Sequence, residues 1–164
     1  MNWYILIKFL HIVAAIMFVG GVFARQLVRS SAKKTSDVQF LASVMHGAGR
    51  IETIMVIPGS NVTVILGVVL AIIEGFPIFG FLQGASQNWL LVSNILLITG
   101  LVLIPTVFIP RGKKFEPILK AALAEGRITP ELHAAIDDKV VQNAHLFQEV
   151  SIMVIVALMV LKPF

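Results

Sequence analysis

Lys8 and His11 stand three residues apart in "KFLHIVAAIMFVGG", a run that is otherwise apolar. Residues at i and i+3 share a helix face. Ionisable groups inside an apolar span are costly and are functional candidates by default. Lys8 can snorkel, with its stem in lipid and its ammonium at the headgroups. His11, eight residues in from Trp3, is expected about 12 Å inside the boundary, out of reach of the headgroups for an imidazole. Two readings stand for it. It is a neutral histidine hydrogen-bonded to a neighbouring helix, or it is a metal ligand. An imidazole one turn below a cation suits haem, with the ring nitrogen on iron and the ammonium on a propionate. Counting helix rise from the outer ends puts Met153 and Gly67 at a similar depth. A methionine sulfur can serve as second axial ligand, and a glycine leaves room for a flat macrocycle. Ordinary gap-filling is the competing reading for Met153.

A second group gathers near the other end of the spans: Arg25, Arg50, Glu52, His145 and Glu149. His145 and Glu149 are i and i+4 on one face. Glu149 stands just inside an apolar run and needs a cation, for which Arg25 is the partner by depth. The group reads as a structural ion-pair network or as a quinone, porphyrin or proton site at the inner leaflet. His145 and His11 differ by about 20 Å in depth, too far to share one iron within a chain. His46 and His133 read as solvated. Met45 and His46 could touch copper but lack a third ligand.

These side chains need helices to hold them. The chain has 164 residues, 57% hydrophobic and 13% charged. A soluble domain would carry about twice that charge. Four runs are long enough to cross a bilayer, at about 20 residues each: residues 3–23, 53–73, 89–109 and 145–161. All must be helical, because lipid offers backbone groups no partner. The expected fold is a single all-α integral membrane domain, a four-helix bundle. The first run lacks a basic flank and a small-residue cleavage site, so it reads as a span rather than a cleaved signal. There is no cysteine, which excludes disulfides, thiolate metal sites and iron–sulfur clusters.

The loop from Glu74 to Asn88 has no Lys or Arg. Arg25, Arg29, Lys33, Lys34 and Arg50 fall between the first two spans. Arg111, Lys113, Lys114, Lys120, Arg127 and Lys139 fall between the last two. Basic loops stay cytoplasmic, so both termini are expected outside a bacterial inner membrane. That distribution accounts for the net charge of +4 without nucleic acid; anionic lipid is compatible with it. Residues 115–143 are expected to form two short amphipathic cytoplasmic helices. Pro117 suits the start of the first and Gly126 its end. Thr129-Pro130-Glu131 suits the N-terminus of the second, which could run straight into the fourth span. Pro58 and Pro105 are expected to kink their spans. Gly20, Gly21 and Ala24 offer small faces for close helix packing.

Three stretches carry a family resemblance. "KFLHIVAAIMFVGGVFAR" resembles the first span of the HemJ-type protoporphyrinogen oxidases, whose Lys, His, aromatic, Gly and Arg fall on Lys8, His11, Phe18, Gly21 and Arg25. "IPGSNVTVILGVVLA" is similar to the second span, with Pro58, Thr63, Gly67 and Leu70 in register. "QEVSIMVIVALMVLKPF" is similar to the closing segment at Glu149, Val150, Lys162, Pro163 and Phe164. Departures are Ser93 and Asn94 where the family has a lysine, Gln148 for its asparagine and Ser151 for its proline. With a longer inner loop, the chain looks more like a sister family of bacterial integral membrane proteins. The resemblance implies haem b on His11 and an electron-transfer or oxidoreductase role with a quinol or porphyrinogen partner. Haem or copper transport, an accessory role and a non-catalytic membrane subunit are the competing functions. A second copy of the chain is a candidate partner beside the bilayer.

Overall fold

The computed structural model describes residues 2–33 and 35–164; Lys34, counted above among the basic loop residues, lies outside the described residues. Helix α1 spans Trp3–Ala32. Helix α2 spans Val38–Glu74 and α3 spans Trp89–Glu125. The short α4 spans Pro130–Ile136 and α5 spans Lys139–Leu161. Among the described residues there is no strand. The protein is an all-α membrane bundle with four helices long and apolar enough to cross a bilayer.

Local chemistry sets the ends. The Asp37 carboxylate accepts from the Gln39 and Phe40 amides at the start of α2, and Asp138 caps α5 in the same way through Val140 and Val141. Both supply acceptors for helix-end donors that have no partner in the helix. The Thr129 hydroxyl accepts from the Leu132 amide at 3.2 Å. Gly75 closes α2 and Gly126 closes α3 with φ of +69°, a conformation glycine reaches without a Cβ clash.

Two local expectations need correction. Residues 115–125 are not a separate surface helix: α3 runs unbroken to Glu125, and Pro117 lies inside it. The turn before that proline is exposed at Lys113 and Lys114, where water can satisfy the carbonyl that a proline leaves free. Nor does α4 run into α5. Asp137 and Asp138 interrupt them, and Asp138 starts the new helix as its cap. Proline acts differently from a simple kink. A π turn at Glu52–Val56 closes with the Ile57 amide on the Glu52 carbonyl, just before Pro58. A second, Ile104–Phe108, closes with the Ile109 amide on the Ile104 carbonyl, just before Pro110. Pro105 sits at the start of that turn. Widening by one residue lets the hydrogen-bond ladder pass the missing proline donor.

The helices pair as α1 with α2 and α3 with α5. Close approach of α1 and α2 is built on small residues. A Cβ added to Gly59 would lie 2.9 Å from the Phe18 backbone nitrogen, and one on Gly21 2.9 Å from the Met55 Cβ. The pairs meet through Val22, Val56 and Ile152 at mid-depth and through Ala71, Trp89, Leu90 and Leu158 near the terminal end. At the opposite, basic end, α1, α2, α3 and α4 enclose a small core of Ala32, Val38, Leu41, Ala122 and Leu132. Leu41, Ala122 and Leu132 are sealed there. The 37-residue α2 is about 55 Å long, well beyond a hydrocarbon core of about 30 Å. This end therefore stands outside the lipid. Within the spans only 11–28% of each apolar stretch is fully buried, and the exposed apolar side chains face lipid.

Gly59→Ala must push its new methyl against backbone, and it should cost about 1–3 kcal/mol. Gly20→Ala enters open space and should be neutral or gain up to about 1 kcal/mol. Thermal unfolding of the two variants in detergent checks this; equal midpoints would show that the α1–α2 contact is loose.

Candidate functional site

Arg25 is 6% exposed in the interior third of α1 nearest the basic end. A guanidinium cannot lose its proton, so the helices around it must supply acceptors. Its Nη1 pairs with the Glu52 carboxylate. Its Nη2 lies 3.2 Å from His145 Nδ1 and donates to Gln148 Oε1 at 3.3 Å. Arginine only donates, so Nδ1 is the acceptor and His145 is the neutral tautomer with its proton on Nε2. The His145 ring, 5% exposed, stacks on Phe108 with centroids 4.5 Å apart. Glu52 and Phe108 each come from a π turn. The two irregular turns thus flank one site, which is where such turns recur in proteins.

The site carries unmet demand. Arg25 Nε, His145 Nε2 and Glu149 Oε1 are all buried with no hydrogen-bond partner among the described residues. Glu149 was expected to pair with Arg25, but the structure gives that role to Glu52. The π turn places Glu52 on the guanidinium, while Glu149, one turn along α5 from His145, makes no ion pair with it. Glu149 instead lines a groove between α1 and α5 with Phe23, Leu146, Val150, Met153 and Val154. The groove is apolar apart from that carboxyl and opens sideways to the lipid.

At the terminal end Lys8 is held in a separate knot. Its Nζ is 3.0 Å from the Tyr4 hydroxyl and 3.8 Å from the Glu74 carboxylate. Tyr4 donates to Glu74 as well. Lys162 reaches the same carboxylate at 4.0 Å and lies over the Phe76 ring at 4.1 Å. The charged ends of Lys8, Glu74 and Lys162 therefore meet at the level of the Tyr4 hydroxyl. Gly67, which packs on the His11 ring, is seven residues or about 10 Å below Glu74, so His11 does lie deep in its span. The depth match between His11 and Met153 fails for a different reason: the residue beside Met153 packs with Val22 and Val56, which stand eleven residues away along their helices from His11 and Gly67. Met153 is 53% exposed toward lipid, and its neighbour Ile152 packs at the level of Val22 and Val56.

His11 and Gly67 do meet. The ring's Cε1 is 3.0 Å from where a Gly67 Cβ would stand. The space that Gly67 leaves is taken by the imidazole itself. His11 Nδ1 and the Thr63 hydroxyl, one turn from Gly67, are both buried without partners. The residues present fit one axial bond from His11 and no more. Lys8 is committed to Tyr4 and Glu74, and Met153 is elsewhere. Among the described residues no cluster of three His, Cys, Asp or Glu could hold a metal ion. His46 is exposed, and the exposed His133 lies 3.5 Å from Asp137.

Sequence reasoning missed Gln148 and Phe108. Gln148 had a signal, since it is i+3 from His145 on the same face. Phe108 had none, being an aromatic within an apolar run.

Replacing Arg25 with Gln strands the Glu52 carboxylate and should cost about 3 kcal/mol. Arg127→Gln removes only an exposed pair with Glu125 and should stay within about 0.5 kcal/mol. Adding Glu52→Gln to Arg25→Gln should restore part of the loss, because the unpaired charge is gone. Detergent unfolding midpoints of the four proteins measure this; a double variant no better than Arg25→Gln would mean the pair is not coupled.

Residues 5–163 match the model of a family described as "Predicted integral membrane protein (DUF2269)". No curated protein and no solved structure matches the chain.

Proposed function

The chain belongs to that family of integral membrane proteins, and from this premise we propose that it binds a lipid-soluble redox molecule of the quinol or porphyrinogen class. The observation that carries the reading is a buried, unpartnered Glu149 oxygen on an apolar groove open to lipid. An uncompensated buried acceptor costs about 1–3 kcal/mol, which a hydroxyl-bearing head would relieve. A neutral head bearing a hydroxyl suits a groove whose polar lining is the Glu149 carboxyl. Glu149 would accept a hydrogen bond from that hydroxyl. The isoprenoid or alkyl body lies along Leu146, Val150, Met153 and Val154.

Short-chain benzoquinols and naphthoquinols titrated onto nanodisc-embedded protein test this. Saturable binding should weaken about tenfold in Glu149→Gln, as for a lost hydrogen bond to a charged group. Glu125→Gln, in a solvated turn, should bind like the wild type. No saturable binding, or equal affinity in Glu149→Gln, would reject the reading in favour of a non-catalytic membrane subunit.

A second reading keeps haem b, favoured by the buried, unpartnered Nδ1 of His11. His11 would hold the iron, and the group would supply one-electron transfer. Protein purified from haem-replete cells should then show a Soret band that His11→Ala abolishes and His133→Ala leaves intact. A colourless wild type would remove haem.

The orientation proposed is both termini outside a bacterial inner membrane, supported by the basic residues gathered at the other end of the bundle. A reporter active only in the cytoplasm, fused after Phe164, should be silent; a strong signal would invert the topology.

A further inference from the structure

We propose that the outer face of α2 carries a specific site for an anionic glycerophospholipid, with its phosphate on Arg50 and His46. The face is distinct from the groove at Glu149 and does not depend on what binds there. Met45, His46, Gly49, Arg50, Thr53 and Ile54 line a shallow depression on this helix. His46, Gly49, Arg50 and Thr53 fall at i, i+3, i+4 and i+7, a single helix stripe.

Depth and charge select the occupant. Below the depression the lipid-facing side of α2 is mainly apolar, with Ile54 at 59% exposed, Ile57 at 49% and Ile65 at 62%, and Asn61 exposed among them. Above it lies the basic end with its own solvent-side core. The depression therefore sits where hydrocarbon gives way to headgroups. Arg50 has no carboxylate partner among the described residues, while Glu52, two residues on, is turned inward to Arg25. A cation left unpaired at headgroup level, above an acyl-lined stripe, matches an anionic lipid rather than a zwitterionic one. The Thr53 hydroxyl donates to the Gly49 carbonyl at 3.0 Å, which turns it back onto the helix and away from competing for the phosphate. Gly49 keeps the floor open, for a Cβ added there would touch nothing within 4 Å. A larger side chain at this position would fill the depression without altering charge or packing.

Native mass spectrometry of detergent-purified protein exchanged against phosphatidylglycerol and phosphatidylcholine provides the test. The wild type should retain phosphatidylglycerol in preference to phosphatidylcholine. Arg50→Gln should lower that retention about fivefold, the weight of one basic side chain at an anionic surface. Gly49→Leu should lower it with the charge intact, and Lys120→Gln should leave it unchanged. Equal retention of the two lipids, or wild-type retention in both Arg50→Gln and Gly49→Leu, would overturn the proposal. Displacement of the bound lipid by millimolar inorganic phosphate would overturn it too, assigning the site to a free anion.

Discussion

A guanidinium that cannot discharge sits on α1 below the surface of a membrane protein, and the basic half of the bundle is arranged around it. In a low-dielectric interior an unpaired charge of this kind costs several kcal/mol. Arg25 is therefore met from two directions, by Glu52 on α2 and by His145 and Gln148 on α5. Helices α2 and α3 widen into π turns at this level, bringing Glu52 and Phe108 to the cluster. The prolines that follow each turn make the widening locally favourable. Backbone irregularity and side-chain chemistry thus support each other.

The rest of the bundle has weaker cement. Lipid tails are as apolar as leucine, so burying apolar surface between spans gains little. Close packing at Gly21 and Gly59 holds α1 to α2, and a cation–aromatic knot at Lys162, Phe76 and Trp89 closes the terminal end. Only the core beyond the lipid, around Leu41 and Leu132, draws on the hydrophobic effect of water. The α1–α5 contact is narrow, which leaves the groove beside Glu149 open to lipid. That groove lies one helix turn along α5 from His145, beside the joint that carries the polar chemistry.

The spans and the fold class were legible because a 20-residue apolar run has one structural solution in lipid. The membership of the inner cluster was legible in part: Arg25, Glu52 and His145 do meet, whereas Arg50, expected with them, faces outward on α2. The cluster's pairing was not. Choosing Glu52 over Glu149 for Arg25 depends on a π turn that rotates α2, and nothing in a hydropathy pattern reports that rotation. Depth counting was sound for Gly67, which does meet His11, because α1 and α2 run side by side. It failed for Met153, because α5 sits so that Ile152 packs beside Val22 and Val56, about three turns from His11 and Gly67 along their helices. Pro117 misled for another reason: on a solvated helix the freed carbonyl finds water, and the helix continues.

Photoaffinity labelling tests the central proposal most directly, that the groove beside Glu149 binds a lipid-soluble head. A quinone carrying a photoreactive group on its ring, irradiated in nanodiscs and mapped by peptide mass spectrometry, should label α5 between Leu146 and Ala157 together with Phe23. Excess unlabelled quinone should suppress that labelling. Labelling spread evenly over the lipid-facing residues, or confined to the terminal end around His11 and Gly67, would contradict the account.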